Sequence, residues 1–211
     1  MSDDLAAPRR IVAIVPVGEL EGAKTRLGGT LDAEERLDLA ETLLRRTLEA
    51  TLASPDLAET LVISPDRRAL ALATSVGART LRQRTRGLNA GLREARADAI
   101  AGGADAIVII PIDLPRIDVD AIHAIVARLT GSPVVVIAID RHGLGTNALG
   151  LRPPDVIDVA FGRDSRRRHR DLAVAANARH VELDGPLALD LDTPDDLVIA
   201  EQALAGLTDG R

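Results

Sequence analysis

The sequence predicts an α/β fold with a mostly parallel central sheet in a single domain. Short β-branched runs alternate with amphipathic helical patterns along most of the chain, which is typical of consecutive βαβ units. Two of the runs, residues 106–110 and 134–139, are apolar throughout, as expected of central strands that helices cover on both faces. With 211 residues and 46% hydrophobic content, the chain can bury one sizeable core. We expect one domain over residues 1–211, flexible at residues 1–9 and 207–211.

The first helix carries the clearest local signals. Apolar residues recur at helical spacing across residues 32–52, and Asp32 followed by Glu35 resembles a capping box. The same criteria give the other elements in order. Predicted strands are residues 11–15, 61–63, 78–81, 106–110, 134–139 and 181–183. Further predicted helices are residues 66–75, 88–101, 119–129, 166–178 and one that starts at Thr193 with Pro194 at the favoured first position. Residues 140–165, rich in Gly and turn formers, are predicted to be irregular.

Composition excludes several functional classes. A net charge of −6 argues against a general nucleic-acid coat, and Phe161, as the one aromatic residue, cannot form a platform for stacking bases. Cysteine is absent, so disulfides and thiolate metal sites are impossible. No apolar run approaches the roughly 18 residues of a membrane span, and the acidic start is unlike a secretory signal. We expect a cytoplasmic protein with neither nucleic acid nor membrane as a partner.

Lysine occurs once, at Lys24, although Lys and Arg together number 26. Because all the other basic residues except histidine are Arg, the single Lys indicates a site that needs a compact ammonium rather than a planar guanidinium. The alternative is that Lys24 is an ordinary solvated loop residue. Lys24 and Arg26 follow the first strand, in a loop before a helix, where backbone N–H groups and the helix dipole favour anions. The loop is not a Walker A sequence. Both residues are candidate phosphate ligands.

Asp113 lies just beyond the end of the apolar strand predicted over residues 106–110. Because ligands of open parallel sheets bind beyond the carboxyl ends of the strands, a carboxylate there can reach a Mg²⁺ ion shared with phosphate oxygens. The alternative is a helix cap, a role that Asp118 already fills. Asp190 and Asp192 alternate along an extended segment and therefore share one face, which suits a hard divalent cation. The carboxylates of residues 195 and 196 are discounted as ordinary partners of a helix dipole.

Two further segments offer contacts to an anion. Residues 143–149 combine a permissive backbone with the Thr146 hydroxyl, although a tight turn would look similar. Ser165 resembles the N-cap of an Arg-rich helix, which would aim N–H donors at an anion; an exposed basic helix face is the alternative. His169 could donate to a phosphate or serve packing, and Asn89 could hold a nucleotide or cap its helix. No arrangement for covalent nucleophilic catalysis emerges.

Taken together, these residues resemble the CofC/FbiD family, the guanylyltransferases of deazaflavin coenzyme F-420 biosynthesis, which transfer GMP to a three-carbon phosphorylated acid. The resemblance spans roughly residues 10 to 205. It rests on the order and spacing of six motifs: Pro16-Val17 with Ala23-Lys24-Thr25-Arg26-Leu27, Gly87-Leu88-Asn89, Asp113-Leu114-Pro115, Gly145-Thr146-Asn147-Ala148-Leu149, Phe161-Gly162 with Ser165 and His169, and Leu189-Asp190-Leu191-Asp192-Thr193-Pro194. Where the family often carries Lys after Pro-Val, this chain has Gly18, so Lys24 is expected to carry more of the phosphate charge.

The resemblance implies a Rossmann-like fold of the nucleotide-diphospho-sugar transferase type and GTP as the nucleotide. It implies phosphoenolpyruvate as the acid in bacterial members, 2-phospho-L-lactate in archaeal ones and 3-phospho-D-glycerate in some. The product would be handed to the next enzyme of the pathway. The implied site places the acid on Thr146, Gly162 and Ser165, Mg²⁺ on Asp113, Asp190 and Asp192, the nucleotide on Lys24 and Asn89, and charge stabilisation on Lys24 and Arg26.

Two other hypotheses stay open from the sequence. One is a related nucleotidyltransferase that acts on sugar phosphates, in which Asp190 and Asp192 would form a metal-binding pair. The Gly-rich, Arg-containing opening loop typical of sugar-nucleotide pyrophosphorylases is missing, which counts against it. The other is a non-catalytic nucleotide-binding protein on the same fold. The presence of Lys24 together with the carboxylates of residues 113, 190 and 192 counts against a non-catalytic protein.

Overall fold

The computed structural model describes residues 8–200. The strands are β1 (Ile11–Pro16), β2 (Glu59–Ser64), β3 (Arg79–Arg82), β4 (Ala106–Ile109), β5 (Val134–Ile139), β6 (Thr146–Arg152) and β7 (Arg179–Leu183). The helices are α1 (Ala33–Ala53), α2 (Arg67–Ser75), α3 (Leu88–Ala101), α4 (Val119–Val126), α5 (Ser165–Ala175) and α6, which begins at Pro194 and continues to residue 200. Single 3₁₀ turns occur at Thr25–Leu27 and Pro186–Ala188.

The strands form one sheet in the order β3-β2-β1-β4-β6-β5-β7. All neighbouring pairs are parallel except the two that involve β6, which confirms the predicted α/β fold with a mostly parallel sheet. The register at the centre pairs Ile14 of β1 with Leu61 of β2 and Ile109 of β4. All three side chains are fully buried or nearly so, as expected for a sheet covered on both faces.

Alternating side chains of the strands face two helical layers. On one face, Val12 and Ile14 join Leu92 of α3 and Ala173 of α5 in one apolar cluster. The opposite face packs against α1, α2 and α4 through the other large clusters. The predicted capping box of α1 is confirmed, because Asp32 accepts from the N–H groups of Glu34 and Glu35 while the Glu35 carboxylate accepts from Asp32 N.

The prediction of an irregular segment over residues 140–165 is wrong for β6, which lies in the middle of the sheet. Its sequence contains Thr, Asn and Gly, so it lacks the β-branched signal of its neighbours. Gly150 has a packing reason: a Cβ there would come within 3.0–3.3 Å of Ile125, Leu129 and Val136 side-chain atoms. Because β6 runs antiparallel, its first residue, Thr146, lies at the edge where the neighbouring strands β4 and β5 end.

Other differences are confined to element ends. The helix predicted over residues 119–129 ends at Val126, and the one predicted over 166–178 runs from Ser165 to Ala175. Most residues predicted to be flexible, 1–7 and 207–211, lie outside the described part of the chain. Across residues 8–200, no helix has the length and apolar character needed to cross a membrane.

Candidate active site

Lys24 lies in the loop between β1 and α1 with a left-handed backbone, φ 55°, which is uncommon for a residue other than glycine. Its side chain is only 10% exposed. The ammonium donates to the Leu191 carbonyl oxygen at 2.6 Å and to Asp192 Oδ1 at 3.2 Å, and lies 3.7 Å from Asp113 Oδ2. Lys24 is therefore not a solvated loop residue, because segments distant in sequence hold its charge in place.

The carboxylates around Lys24 come from two segments that the backbone ties together. Leu191 N donates to the Asp113 carbonyl oxygen at 2.8 Å, which sets the segment containing Asp190 and Asp192 beside the end of β4. Burial raises the pKa of Asp113, Lys24 opposes that rise, and Asp192 adds to it. Burial also raises the pKa of Asp190, with a further rise from the charge on Asp113. The site therefore holds more negative charge than Lys24 alone offsets.

This arrangement fits a cation that is shared with a substrate. Within residues 8–200, no three His, Asp or Glu side chains converge closely enough to hold a metal ion unaided. Mg²⁺ usually takes only one or two carboxylates and completes its shell with water and substrate phosphates. Carboxylate oxygens suit such an ion, and the raised pKa values of Asp113 and Asp190 show that bringing these carboxylates together in a buried place is unfavourable without a cation. Asp113, Asp190 and Asp192 as Mg²⁺ ligands remain a prediction.

A cleft of about 370 Å³ opens above these residues. The β1–α1 loop forms one wall, and Leu88 at the start of α3 and the Pro111–Asp113 segment contribute to the lining. Arg26 reaches in from the solvent side: its side chain is 75% exposed and its Nη1 lies 3.5 Å from Asp192 Oδ2. Gly18 lines the same cleft, and a Cβ there would meet nothing within 4 Å. The cleft therefore combines apolar lining residues with two cations, the nearly buried Lys24 and the exposed Arg26.

Asp196, which the sequence argument discounted, supports this site. It is buried, and its carboxylate accepts from Asp192 N, from the backbone and hydroxyl of Thr193, and from Arg141 at 2.6 Å. Arg141 N also donates to the Ala188 carbonyl oxygen at 2.8 Å. Burial raises the pKa of Asp196, but these hydrogen bonds and Arg141 together lower it below its ordinary value. The signal was present as Thr193 three positions before an acid, the spacing of a capping box.

A second polar cluster lies where β6 begins and α5 starts. Thr146, Ser165 and His169 are 7%, 2% and 0% exposed, respectively. Thr146 N donates to Ser165 Oγ at 2.9 Å, Thr146 Oγ1 lies 2.9 Å from His169 Nδ1, and Ala160 N donates to His169 Nε2 at 3.0 Å. The prediction that Ser165 is a helix N-cap is wrong: Asp164 takes that position with a left-handed backbone, and Ser165 is the first helical residue.

Gly162 and Asn89 shape the wall beside this cluster. Gly162 has φ 111°, a conformation that glycine adopts readily and other residues rarely do. The Asn89 amide pairs with the backbone of Phe161, donating to its oxygen at 3.0 Å and accepting from its nitrogen at 2.9 Å. Asn89 is not a helix cap, because Gly87 is the N-cap of α3. Its nucleotide-binding role stays a prediction.

The arginines of α5 are largely engaged with the protein. Arg166 binds Glu182 through two nitrogens and donates to the Gly143 carbonyl oxygen, and Arg168 donates to the Phe161 carbonyl oxygen. Arg167 and Arg170 both pair with Asp171 on the exposed side. The alternative of an exposed basic helix face therefore describes Arg167 and Arg170.

The two polar clusters are connected through Asn147. Its amide nitrogen donates to the carbonyl oxygens of Leu187 and Ala188, at 2.8 and 3.1 Å. Those residues lead directly into the segment that carries Asp190 and Asp192. The side chain of Thr146 therefore belongs to the hydroxyl-bearing cluster, while that of Asn147 holds the segment that leads to the acidic one.

Comparison with known proteins shows the family of the chain. Residues 11–206 match the family described as "Guanylyl transferase CofC like". The chain is 43% identical over 188 residues to a phosphoenolpyruvate guanylyltransferase of Sphaerobacter thermophilus, covering 88% of this chain and 90% of that one. It is 41% identical over 192 residues to a protein of the same name from Rubrobacter xylanophilus, covering 90% and 93%.

Solved structures share the fold at low sequence identity. A chain from Desulfovibrio desulfuricans assigned to the nucleotide-diphospho-sugar transferases superposes with a TM-score of 0.76 at 19% identity, over 92% of this chain and 87% of that one. A nucleotidyl transferase from Methanothermobacter does so with a TM-score of 0.67 at 16% identity, over 94% and 99%. These likenesses confirm the predicted nucleotide-diphospho-sugar transferase type of fold. By its sequence match over residues 11–206, the protein belongs to the CofC-like family of guanylyl transferases.

Proposed function

We propose that this protein is a phosphoenolpyruvate guanylyltransferase of coenzyme F-420 biosynthesis, transferring GMP from GTP to phosphoenolpyruvate with release of pyrophosphate. The observation that carries the proposal is the placement of Lys24 against Asp113 and Asp192, at the mouth of a cleft beyond the carboxyl ends of β1 and β4. Ligands of open α/β sheets bind at this edge. The relatives named for this activity, at 43% and 41% identity, support the choice of substrates.

The reaction needs no protein nucleophile. A phosphate oxygen of the acid forms a bond to the α-phosphorus of GTP, and the bond from that phosphorus to the bridging oxygen of the β-phosphate breaks, so that pyrophosphate leaves. A phosphate monoester is largely dianionic at neutral pH, since its second pKa is about 6, and can therefore attack without a general base. Catalysis then consists of positioning and of stabilising the charge that develops.

Lys24 supplies a fixed positive charge for the triphosphate, and Arg26 supplies a mobile one. Because Lys24 is already oriented by Leu191 and Asp192, little reorganisation is required when the triphosphate arrives. Arg26 is exposed and can close over the phosphates from the solvent side. Asn89 follows Leu88, which lines the cleft, and is proposed to bind the nucleotide.

Asp113, Asp190 and Asp192 would hold Mg²⁺. Such an ion, when bound, neutralises phosphate charge and supports the departure of pyrophosphate. Lys24 offsets part of the acidic charge, and Leu191 N, which donates to the Asp113 carbonyl oxygen, keeps the segment of Asp190 and Asp192 against the end of β4.

The acid is proposed to lie on Thr146, Gly162 and Ser165. The absence of a side chain at Gly162 would permit close approach of a small substrate, and the hydroxyls of the other two offer donors to its carboxylate. The three candidate acids differ by an enol, a methyl or a hydroxymethyl group. Consumption of the product by the next enzyme of the pathway belongs to the same proposal.

Pyrophosphate release tests the proposal directly. The protein is incubated with Mg²⁺, one of GTP, ATP, CTP or UTP, and one of phosphoenolpyruvate, 2-phospho-L-lactate, 3-phospho-D-glycerate or a sugar 1-phosphate, and the adduct is identified by mass. We expect turnover with GTP and phosphoenolpyruvate. Turnover with a sugar phosphate instead would support the related nucleotidyltransferase. Tight GTP binding without turnover on any acid would contradict an enzymatic role.

A further inference from the structure

The orientation of His169 is fixed by a neighbour that can only donate. His169 is fully buried on α5, and its Nε2 accepts from Ala160 N at 3.0 Å. A backbone N–H has no lone pair to offer, so Nε2 must be the unprotonated nitrogen of the ring. Phe161 packs against the imidazole edge-on, with ring centroids 5.1 Å apart, and holds the ring in this position. In a neutral imidazole the proton is therefore on Nδ1.

The charge state of His169 agrees with this geometry. Burial, together with the neighbouring charge of Arg168, lowers the pKa of His169 to about 4. The ring is neutral at physiological pH. The Nδ1–H form is set by the fold, because the opposite tautomer would bring two N–H groups into contact at Ala160.

The consequence falls on the Thr146 hydroxyl. Since Nδ1 carries a proton, His169 donates to Thr146 Oγ1 at 2.9 Å, and the hydroxyl proton of Thr146 must point elsewhere. Ser165 is constrained in the same way, because its Oγ accepts from Thr146 N at 2.9 Å. Among residues 8–200, neither hydroxyl has an acceptor for its own proton. Both buried hydroxyls can therefore donate a hydrogen bond to a ligand.

We propose that His169 is a positioning residue for the reaction: by donating from Nδ1 to Thr146 Oγ1, it leaves the Thr146 hydroxyl proton available to donate to the anionic group of the acid substrate. Ser165 contributes a second donor of the same polarity. The two hydroxyl donors therefore favour a carboxylate, which only accepts hydrogen bonds, over an uncharged group that is itself a hydrogen-bond donor. This role rests on the proposed function.

The tautomer can be tested without any substrate. In protein labelled with ¹⁵N-histidine, two-bond ¹H–¹⁵N correlation spectra distinguish a protonated from an unprotonated ring nitrogen, and the His169→Gln variant assigns the signal. We expect a neutral ring with a proton on Nδ1, still neutral at about pH 5.5, a full unit below the ordinary histidine pKa. A proton on Nε2, or a charged ring at that pH, would overturn the proposal.

The effect on the acid is tested by a set of matched variants. His169→Gln retains an acceptor for Ala160 and a donor for Thr146, whereas His169→Leu removes both. We expect His169→Leu to raise the KM for phosphoenolpyruvate about tenfold, as for loss of a hydrogen bond that serves a charged group, with the KM for GTP unchanged. His169→Gln should stay close to the wild type. Equal shifts in both KM values, or a folded His169→Gln as impaired as His169→Leu, would contradict the role.

A double-mutant cycle separates positioning from simple structural support. If His169 acts through the hydroxyl, then adding His169→Leu to Thr146→Val should raise the KM for the acid no further. Effects that multiply would show that the two side chains act independently. If the wild type fails to turn over GTP with phosphoenolpyruvate, the proposed function fails, while the tautomer measurement still decides the arrangement of His169. If His169→Leu does not fold, the Gln variant and the spectra retain the test.

Discussion

Two polar clusters at one edge of the sheet differ in charge and in burial. The charged cluster, Lys24 with Asp113, Asp190 and Asp192, lies beside an open cleft and contains ionisable side chains, and burial raises the pKa values of Asp113 and Asp190. The hydroxyl cluster, Thr146 with Ser165 and His169, is buried and neutral. A triphosphate with a metal ion brings more charge than neutral groups can offset, whereas buried neutral hydroxyls suit a small acid that directed hydrogen bonds can recognise. The comparison predicts that the clusters serve different substrates.

The largest expected effect is on the charged cluster. Lys24→Ala should lower kcat by about 10²–10³-fold, because it removes a fixed charge from the developing negative charge at phosphorus. Lys24→Arg should rescue little, since a planar guanidinium cannot take the place of an ammonium that contacts Leu191 O and Asp192 at once. Pyrophosphate release measures both. Arg67→Ala, an exposed arginine of α2, is the control. Unchanged turnover in Lys24→Ala would break the assignment.

The support beneath the charged cluster should appear in stability. Asp196→Ala removes the acceptor for Thr193, Asp192 N and Arg141, and leaves the Arg141 guanidinium without its buried partner. We expect a loss of about 2–3 kcal/mol in the free energy of unfolding. Denaturant titration measures it, with the exposed neighbour Asp195→Ala as a matched control. Equal stability of the two variants would mean that Asp196 is only an ordinary residue of the first helical turn.

The metal prediction gives a smaller, more specific shift. Asp190→Asn should raise the Mg²⁺ concentration needed for half-maximal activity by about tenfold, because one anionic oxygen donor is lost while the side chain keeps its size. Asp195→Asn should leave the Mg²⁺ titration unchanged. A titration that Asp190→Asn does not shift would argue against a cation on this carboxylate.

The smallest effect sharpens the role of the cleft. Gly18 faces open space in the same cleft as Lys24, so Gly18→Lys can add a cation without a clash. We expect the KM for GTP to fall about two- to fivefold, in line with a solvent-screened charge, and the KM for the acid to stay constant. Gly18→Gln controls for the longer side chain. If only the KM for the acid fell, the cleft would bind the acid and not GTP.

Much of the fold could be predicted from local pattern. The apolar strands at residues 106–109 and 134–139 and the Asp32–Glu35 capping box lie where the sequence places them. The strand β6 could not, because it is buried through partners that are remote in sequence: Gly150 is required by α4 and Val136, and nothing near it shows that contact. Propensity describes a strand's own residues, whereas β6 is specified by the neighbours that enclose it.

The site divides in the same way. Lys24 and Asp113 each follow a predicted strand, and parallel-sheet topology is enough to predict that they lie at the ligand-binding edge of the sheet. Asp196 is discounted on sequence grounds, because its importance depends on Arg141, which reaches it from another loop. Ser165 is predicted to be a helix cap, because a serine before a helix usually caps it, but its hydroxyl accepts a hydrogen bond from Thr146 N. Contacts between distant loops decide such roles, and a single sequence contains no record of them.

The division of labour between the two clusters is the central claim, and one pair of variants tests it most directly. Arg26→Gln and Thr146→Val are each assayed for the KM of GTP and the KM of phosphoenolpyruvate, at saturating concentration of the other substrate. We expect Arg26→Gln to raise only the KM for GTP and Thr146→Val to raise only the KM for the acid. If each variant shifts both KM values by the same factor, the clusters do not serve separate substrates and the account is contradicted.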